Sequence, residues 1–193
     1  MSDSDLTQRT RSLFLTDENT YGCAEATLIA LQEHWSLPDP TDSAAAMALN
    51  GGIAYSGGTC GAITGAAIAV GRLAQERITD HRRAKTAART IVQHLMAQFA
   101  DAHGSTDCRE LTGYDLSTEH RAFIASGVWR EVCMRQIEFA VERLAPLVDA
   151  DLWDAELRRS ADSRGTTPGR RSALPASTTP ATVRMPPPGP STG

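Results

Sequence analysis

The stretch "GGTCGAITGAAIAVG", residues 57 to 71, constrains the fold most, because it surrounds Cys60 with glycine and alanine and offers almost no side chain able to fill a core. Glycine costs a helix roughly 0.5–1 kcal/mol relative to alanine. Gly57, Gly58, Gly61 and Gly65 therefore imply that something approaches this segment closely: a neighbouring helix, a second cysteine, a cluster, or an anion at a helix N-terminus. Farther along, Gly65, Ala66, Ala67, Ala69 and Gly71 fit tight helix packing, and such a face leaves room for a homodimer.

Periodicity elsewhere is helical. Leu6, Leu13 and Phe14 mark one side of a helix over residues 5–15, followed by the polar break "TDENT". Ala24, Leu28, Leu31 and Trp35 mark a second, which takes in Cys23 and ends at "LPDP". Thr41 suits the N-cap of a short alanine-rich helix closed by Gly51 and Gly52. A helix from about Cys60 to Arg77 precedes the longest one, capped by Thr79 or Asp80 and running to about Ala102, with Ala84, Ala88, Ile91, Leu95 and Phe99 as its apolar stripe. "STDCREL" reads as a short helical turn carrying Cys108. Trp129, Val132, Cys133, Ile137, Ala140 and Leu144 define the last strong amphipathic helix. The expected fold class is all-α, a single-domain bundle of five to six helices over residues 1–157.

Residues 158–193 hold seven of the ten prolines amid Ser, Thr, Gly and Arg, a composition that cannot bury enough apolar surface to offset chain entropy. A disordered tail is expected there. Residues 163–193 carry Arg164, Arg170, Arg171 and Arg184 and no acidic residue, a charge of +4, so the rest of a chain with net charge -4 is near -8. An acidic body lacks the footprint of a nucleic-acid binder. The run from Cys60 to Gly71 is too short to span a bilayer, and the N-terminus lacks the basic start and apolar run of a secretory signal, so a cytoplasmic protein without a membrane span is expected.

In a reducing cytoplasm, the four cysteines are expected to be ligands, redox thiols or packing residues rather than permanent disulfides. Cys23, Cys60, Cys108 and Cys133 are separated by 37, 48 and 25 residues, so none forms a C-x-x-C pair. Three of them fall in or near a first helical turn, where backbone N–H groups favour a thiolate, whereas Cys133 lies mid-helix on a core-facing stripe. His34, His81, His94, His103 and His120 show no ligand spacing and are expected at the surface; Arg82, Arg83 and Lys85 read as a solvated face. No hydrolase triad, Walker loop or dinucleotide fingerprint is present.

Four ordered blocks, "YGCAEATL", "GGIAYSGGTCGAITGAAIAVG", "DCRELTGYDL" and "VCMRQIEFAVERL", resemble the C-GCAxxG-C-C family of redox-active proteins, with Cys60, Gly61, Ala62 and Gly65 matching its Cys-Gly-Ala-x-x-Gly motif. The resemblance covers about residues 5–148. It implies a helical domain whose four cysteines act together. In the related four-cysteine domain of split-Soret cytochromes they are thought to hold an iron–sulfur cluster, so Cys23, Cys60, Cys108 and Cys133 become candidate ligands, with Gly58, Gly61, Ala62 and Gly65 beside the cofactor. Haem is not expected, because the C-x-x-C-H attachment motif is missing. Gly22 stands where many members of that family carry Asn.

Four thiolates suit a 2Fe–2S cluster serving electron transfer or redox sensing, but equally structural zinc. Without metal, the same cysteines become redox thiols, with Cys60 attacking and another cysteine resolving. A third reading is a helical binding or scaffold protein in which they only pack. The residues leave open whether the chain is an oxidoreductase and which redox partner protein it serves.

Overall fold

A computed structural model describes residues 2–16 and 20–163. Among them are eight α-helices and no strand: α1 (Asp3–Phe14), α2 (Cys23–His34), α3 (Gly61–Arg77), α4 (His81–His103), α5 (Cys108–Thr112), α6 (Leu116–Ser126), α7 (Met134–Leu144) and α8 (Ala150–Ser163). The all-α expectation holds, with more helices than expected. None is long and apolar enough to cross a membrane.

The bundle is organised around α2. Every residue from Ala24 to Gln32 is buried, so this helix is enclosed on all sides, as an all-round apolar helix must be. It packs against α1, α3 and α7, and α3 in turn packs against α4 and α7. Two glycines set the closeness of the α2–α3 crossing. A Cβ at Gly65 would stand 2.1 Å from the Ala24 carbonyl oxygen, and one at Gly61 would stand 2.2 Å from the Cys23 sulfur. Gly61 and Gly65 of α3 thus meet α2 of the same chain. Gly71 is different: nothing lies within 4 Å of the Cβ it lacks, so packing does not explain it.

The buried polar residue Gln32 is satisfied on both ends of its amide: Nε2 donates to the carbonyls of Pro40 and Asp42, and Oε1 accepts from Arg72. Arg9 ties α1 to α2 through two 2.8 Å bonds to Glu33.

Local signals were followed with instructive exceptions. Asp80 caps α4, accepting from the Arg83 N–H at 2.8 Å, and Gly104 ends it with φ 82°. The alanine-rich segment is instead a 3-10 helix, Ala44–Leu49, preceded by Ser43 rather than capped by Thr41. Helix α6 fills a stretch to which the sequence reading assigned no element; Asp115 is its N-cap, and its side chain accepts from the Ser117 N–H. Helix α8 runs to Ser163, past the point where the tail was expected to begin, and buries Trp153 against the bundle. The rest of the expected tail, residues 164–193, lies outside the described residues, as do residues 17–19 of the "TDENT" break.

Two segments depart from regular right-handed helix. Gly51, Gly52, Ile53, Ala54 and Tyr55 all have φ between 50° and 73°, a left-handed turn in which three positions carry a Cβ. Each such non-glycine residue costs about 1–2 kcal/mol. Hydrogen bonds from Gly57 N–H to Gly51 and from Gly58 N–H to Gly52 brace the turn. The other segment, Trp129–Cys133, is a π-helical turn leading into α7. Both lie next to the cysteines.

Candidate functional site

The cysteines reach one region by three local devices. Cys23 is the first residue of α2, and Cys60 is the N-cap of α3. Cys108 opens α5 and is held to the Cys60 segment by a short antiparallel pairing around the Thr59–Asp107 bridge: Cys60 N–H donates to Thr106 O at 2.8 Å, and Cys108 N–H donates to Gly58 O at 2.7 Å. Cys133 comes in from the π turn. The expected first-turn placement of three cysteines and the core-facing placement of the fourth are both found. So is the close approach inferred from the glycines, because Gly61 admits the sulfur of Cys23.

All four are free thiols; Cys60, Cys108 and Cys133 are buried, and Cys23 is half-buried. Their electrostatics reverse the expected activation. Burial pushes the Cys60 thiol up strongly, and the charges of Cys23 and Cys108 push it further; the N–H groups of Ala62 and Ile63 oppose this without overcoming it. Burial, then the charge of Cys23, pushes Cys108 up to about 12. Cys133 is raised by burial and by the charges of Cys23, Cys60 and Cys108 together. Cys23 is raised by burial against four N–H groups, those of Gly51, Ala24, Cys23 itself and Gly61. The helix-end N–H groups are present as the sequence implied, but desolvation outweighs them, and at neutral pH the four sulfurs are thiols.

Sequence reasoning missed the polar residues that hold these thiols. Asn50 accepts from the Ala24 N–H at 2.9 Å and from the Cys23 thiol at 3.8 Å through Oδ1, while its Nδ2 donates to Glu25 at 2.9 Å. Glu25, itself buried, also accepts from the Gly22 N–H and from Ser43 Oγ. Asn50 thereby serves the N-terminus of α2 in place of a side chain at position 22, where a Cβ would stand 2.2 Å from its carboxamide carbon. Gln136 Oε1 accepts from the Cys60 thiol at 3.5 Å. A glutamine on the apolar stripe between Cys133 and Ile137 was the available signal for this contact; nothing local marks Asn50.

A cavity of about 60 Å3 opens over Cys23, Cys108 and Cys133, and His120 is part of its wall. That corrects the surface expectation for His120. His94 pairs with Glu156 at 2.7 Å and His103 lies against Phe99 and Phe139, so these too are half-buried. Arg82, Arg83 and Lys85 are exposed, as expected.

Residues 21–147 match the family model described as "Putative redox-active protein (C_GCAxxG_C_C)". The chain belongs to the C_GCAxxG_C_C family. The match spans well over half of the chain and includes all four cysteines. No match was found among curated proteins or among solved structures. The family's four cysteines supply a donor set chemically suited to an iron–sulfur cluster: four sulfurs within electrostatic reach of one another, two of them facing backbone N–H groups. Among the described residues, no three His, Cys, Asp or Glu side chains form a ready-made metal-holding group, so metal binding requires the thiols to draw together.

Proposed function

We propose that Cys23, Cys60, Cys108 and Cys133 form one redox centre that holds an iron–sulfur cluster of the 2Fe–2S type and serves electron transfer or redox sensing toward a partner protein. The observation carrying this reading is the mutual influence of the four thiols. Three are buried and Cys23 is half-buried, a negative charge on Cys23 would act on the other three, and among the described residues no lysine or arginine lines the cavity to balance it. Thiolates cannot accumulate in such a place without a cation, and metal binding at thiols releases protons. A bound cluster would supply one-electron chemistry.

The chain's own contributions follow from its contacts. The N–H groups of Gly51, Ala24 and Gly61 favour negative charge on the Cys23 sulfur, and those of Ala62 and Ile63 do so at Cys60. Such hydrogen bonds tune the potential of a sulfur-ligated centre. Asn50 fixes the start of α2, hence the position of Cys23, and Gln136 holds the Cys60 thiol. Gly61 and Gly65 keep α2 and α3 close enough for both sulfurs to share the site.

A second reading is favoured by the lack of a ready-made metal-holding group among the described residues. Two neutral thiols would be oxidised to a disulfide, releasing two electrons and two protons to an oxidised partner thiol or disulfide.

Anaerobic purification followed by metal and sulfide analysis and a visible spectrum separates the readings. Iron with equimolar sulfide and a colour that bleaches on reduction supports the cluster, and its loss in Cys60→Ser and Cys133→Ser assigns the ligands. Metal-free protein whose thiol count changes reversibly by two or four supports the dithiol reading. Retention of metal content and thiol chemistry in both serine variants overturns the shared centre.

A further inference from the structure

The four cysteines are not equally placed to react with a molecule from outside. Cys23 is half-buried, whereas Cys60, Cys108 and Cys133 are 3%, 5% and 8% exposed. Cys23, Cys108 and Cys133 line the cavity, and Cys60 lies outside its wall. A thiol attacks a disulfide only where the two sulfurs can meet, so access selects among otherwise similar thiols. It puts Cys23 first and Cys60 last.

A second property of Cys23 is independent of its exposure. Backbone N–H groups from three segments act on its sulfur: its own and that of Ala24 at the start of α2, that of Gly61 at the start of α3, and that of Gly51 in the left-handed turn. Two helix N-termini and a turn thus converge on one atom, an arrangement that suits a sulfur on which negative charge develops. Burial and the charge of the other sulfurs are what act on Cys108 and Cys133. Asn50 Oδ1 accepts from the Cys23 thiol at 3.8 Å and fixes its direction.

The partner for a second step is Cys60. The Cys23 sulfur stands 2.2 Å from the Cβ that Gly61 lacks, and Gly61 directly follows Cys60 in the chain. Of the charges acting on Cys60, that of Cys23 is the largest. Cys60 is therefore beside Cys23 but closed to an outside molecule, with its thiol donating to Gln136 Oε1 at 3.5 Å.

We infer that in the metal-free chain Cys23 is the thiol that attacks an incoming disulfide, and Cys60 is the thiol that resolves the product. The inference rests on the dithiol reading and gives Cys60 the resolving role in place of the attacking one. In the first step the Cys23 sulfur attacks one sulfur of the substrate R–S–S–R. The bond from Cys23 to S–R forms, the substrate S–S bond breaks, and the departing R–S takes the proton that Cys23 gives up. The Cys60 sulfur then attacks the Cys23 sulfur. Their mutual disulfide forms, the mixed disulfide breaks, and the second R–S leaves with the Cys60 proton. One disulfide is reduced by two electrons to two thiols, and two cysteines are oxidised to one disulfide.

The test mixes the reduced, metal-free full chain anaerobically with bis(2-hydroxyethyl) disulfide, quenches with acid at intervals and locates the adducts by peptide mass spectrometry. In the unsubstituted chain the thiol count is expected to fall by two, with a Cys23–Cys60 disulfide recovered. Cys60→Ser keeps the attacking thiol and removes the resolving one, so the mixed disulfide accumulates on Cys23 to about tenfold its level in the unsubstituted chain. Cys23→Ser slows thiol loss by about tenfold. Because serine at a buried position disturbs packing, the first adduct is also mapped in the unsubstituted chain after brief reaction, where most of it is expected on Cys23. First addition at Cys60, Cys108 or Cys133, or a final disulfide that does not join Cys23 to Cys60, overturns the assignment and leaves the dithiol reading standing. A thiol count that never changes reversibly by two removes the dithiol reading, and the assignment with it.

Discussion

Replacing Gly65 by alanine and, separately, Gly71 by alanine makes the same chemical change twice in one helix, and the structure demands opposite results. At Gly65 the added Cβ would stand 2.1 Å from the Ala24 carbonyl oxygen and 3.0 Å from the Ala24 Cα. These are backbone atoms, so no side-chain rotation relieves the clash and α2 must retreat by about 1 Å from α3. Overpacking of this kind costs about 1–3 kcal/mol, and a backbone obstacle belongs at the upper end. The better helix propensity of alanine returns about 1 kcal/mol, leaving a net loss of about 2 kcal/mol. For a chain of this size, that lowers Tm by about 4–8 °C. At Gly71 the Cβ meets nothing within 4 Å, so only the propensity gain remains, a stabilisation of about 0.5–1 kcal/mol. Calorimetry or urea unfolding of the reduced, metal-free protein measures both. Equal shifts of the same sign in the two variants would refute the claim that Gly65 is an intimate backbone contact.

Three further outcomes follow from the site. Cys108 is held at about 12 when folded, whereas a free thiol titrates near about 8.5, so between these values the unfolded chain loses a proton the folded chain keeps. Stability is therefore full below the lower value and falls as pH rises, by up to about 1.4 kcal/mol per pH unit for this thiol; urea unfolding from pH 8 to 10.5 should show a shallower decline in Cys108→Ser, and identical slopes would count against a buried neutral thiol. Asn50→Ala leaves the Ala24 N–H and part of Glu25 unpartnered, with an expected destabilisation of about 2–3 kcal/mol and faster alkylation of Cys23 by iodoacetamide, followed by peptide mass spectrometry. Gly61→Ala displaces the Cys23 sulfur and should lower metal content more than Gly71→Ala does, by elemental analysis of anaerobically purified protein.

Much of the site was written in the chain's local chemistry. The glycines at 61 and 65 announced a close approach, and the structure fills it with the sulfur of Cys23 and the backbone at Ala24. Asp80, Gly104 and the stripe of Ile91, Leu95 and Phe99 delimited α4 because capping and 3.6-residue periodicity act within a few residues of chain. Helix α6 was not legible: its buried residues are Leu116 and Phe123, too few to set a period, and it leans on Tyr114 and the π turn rather than on its own pattern. The left-handed turn was half legible, since Gly51 and Gly52 signal positive φ but Ile53, Ala54 and Tyr55 argue against it.

By itself the sequence determined helices α1 to α5 and α7, the first-turn positions of Cys23, Cys60 and Cys108, and the family to which the chain belongs, because each depends on residues adjacent along the polypeptide. Only the tertiary structure decided the state of the thiols, the part of Asn50 at the start of α2, and the place of His120 in the cavity wall. Desolvation and contacts across 27 or 76 residues of chain belong to the packed bundle, and no local pattern encodes them.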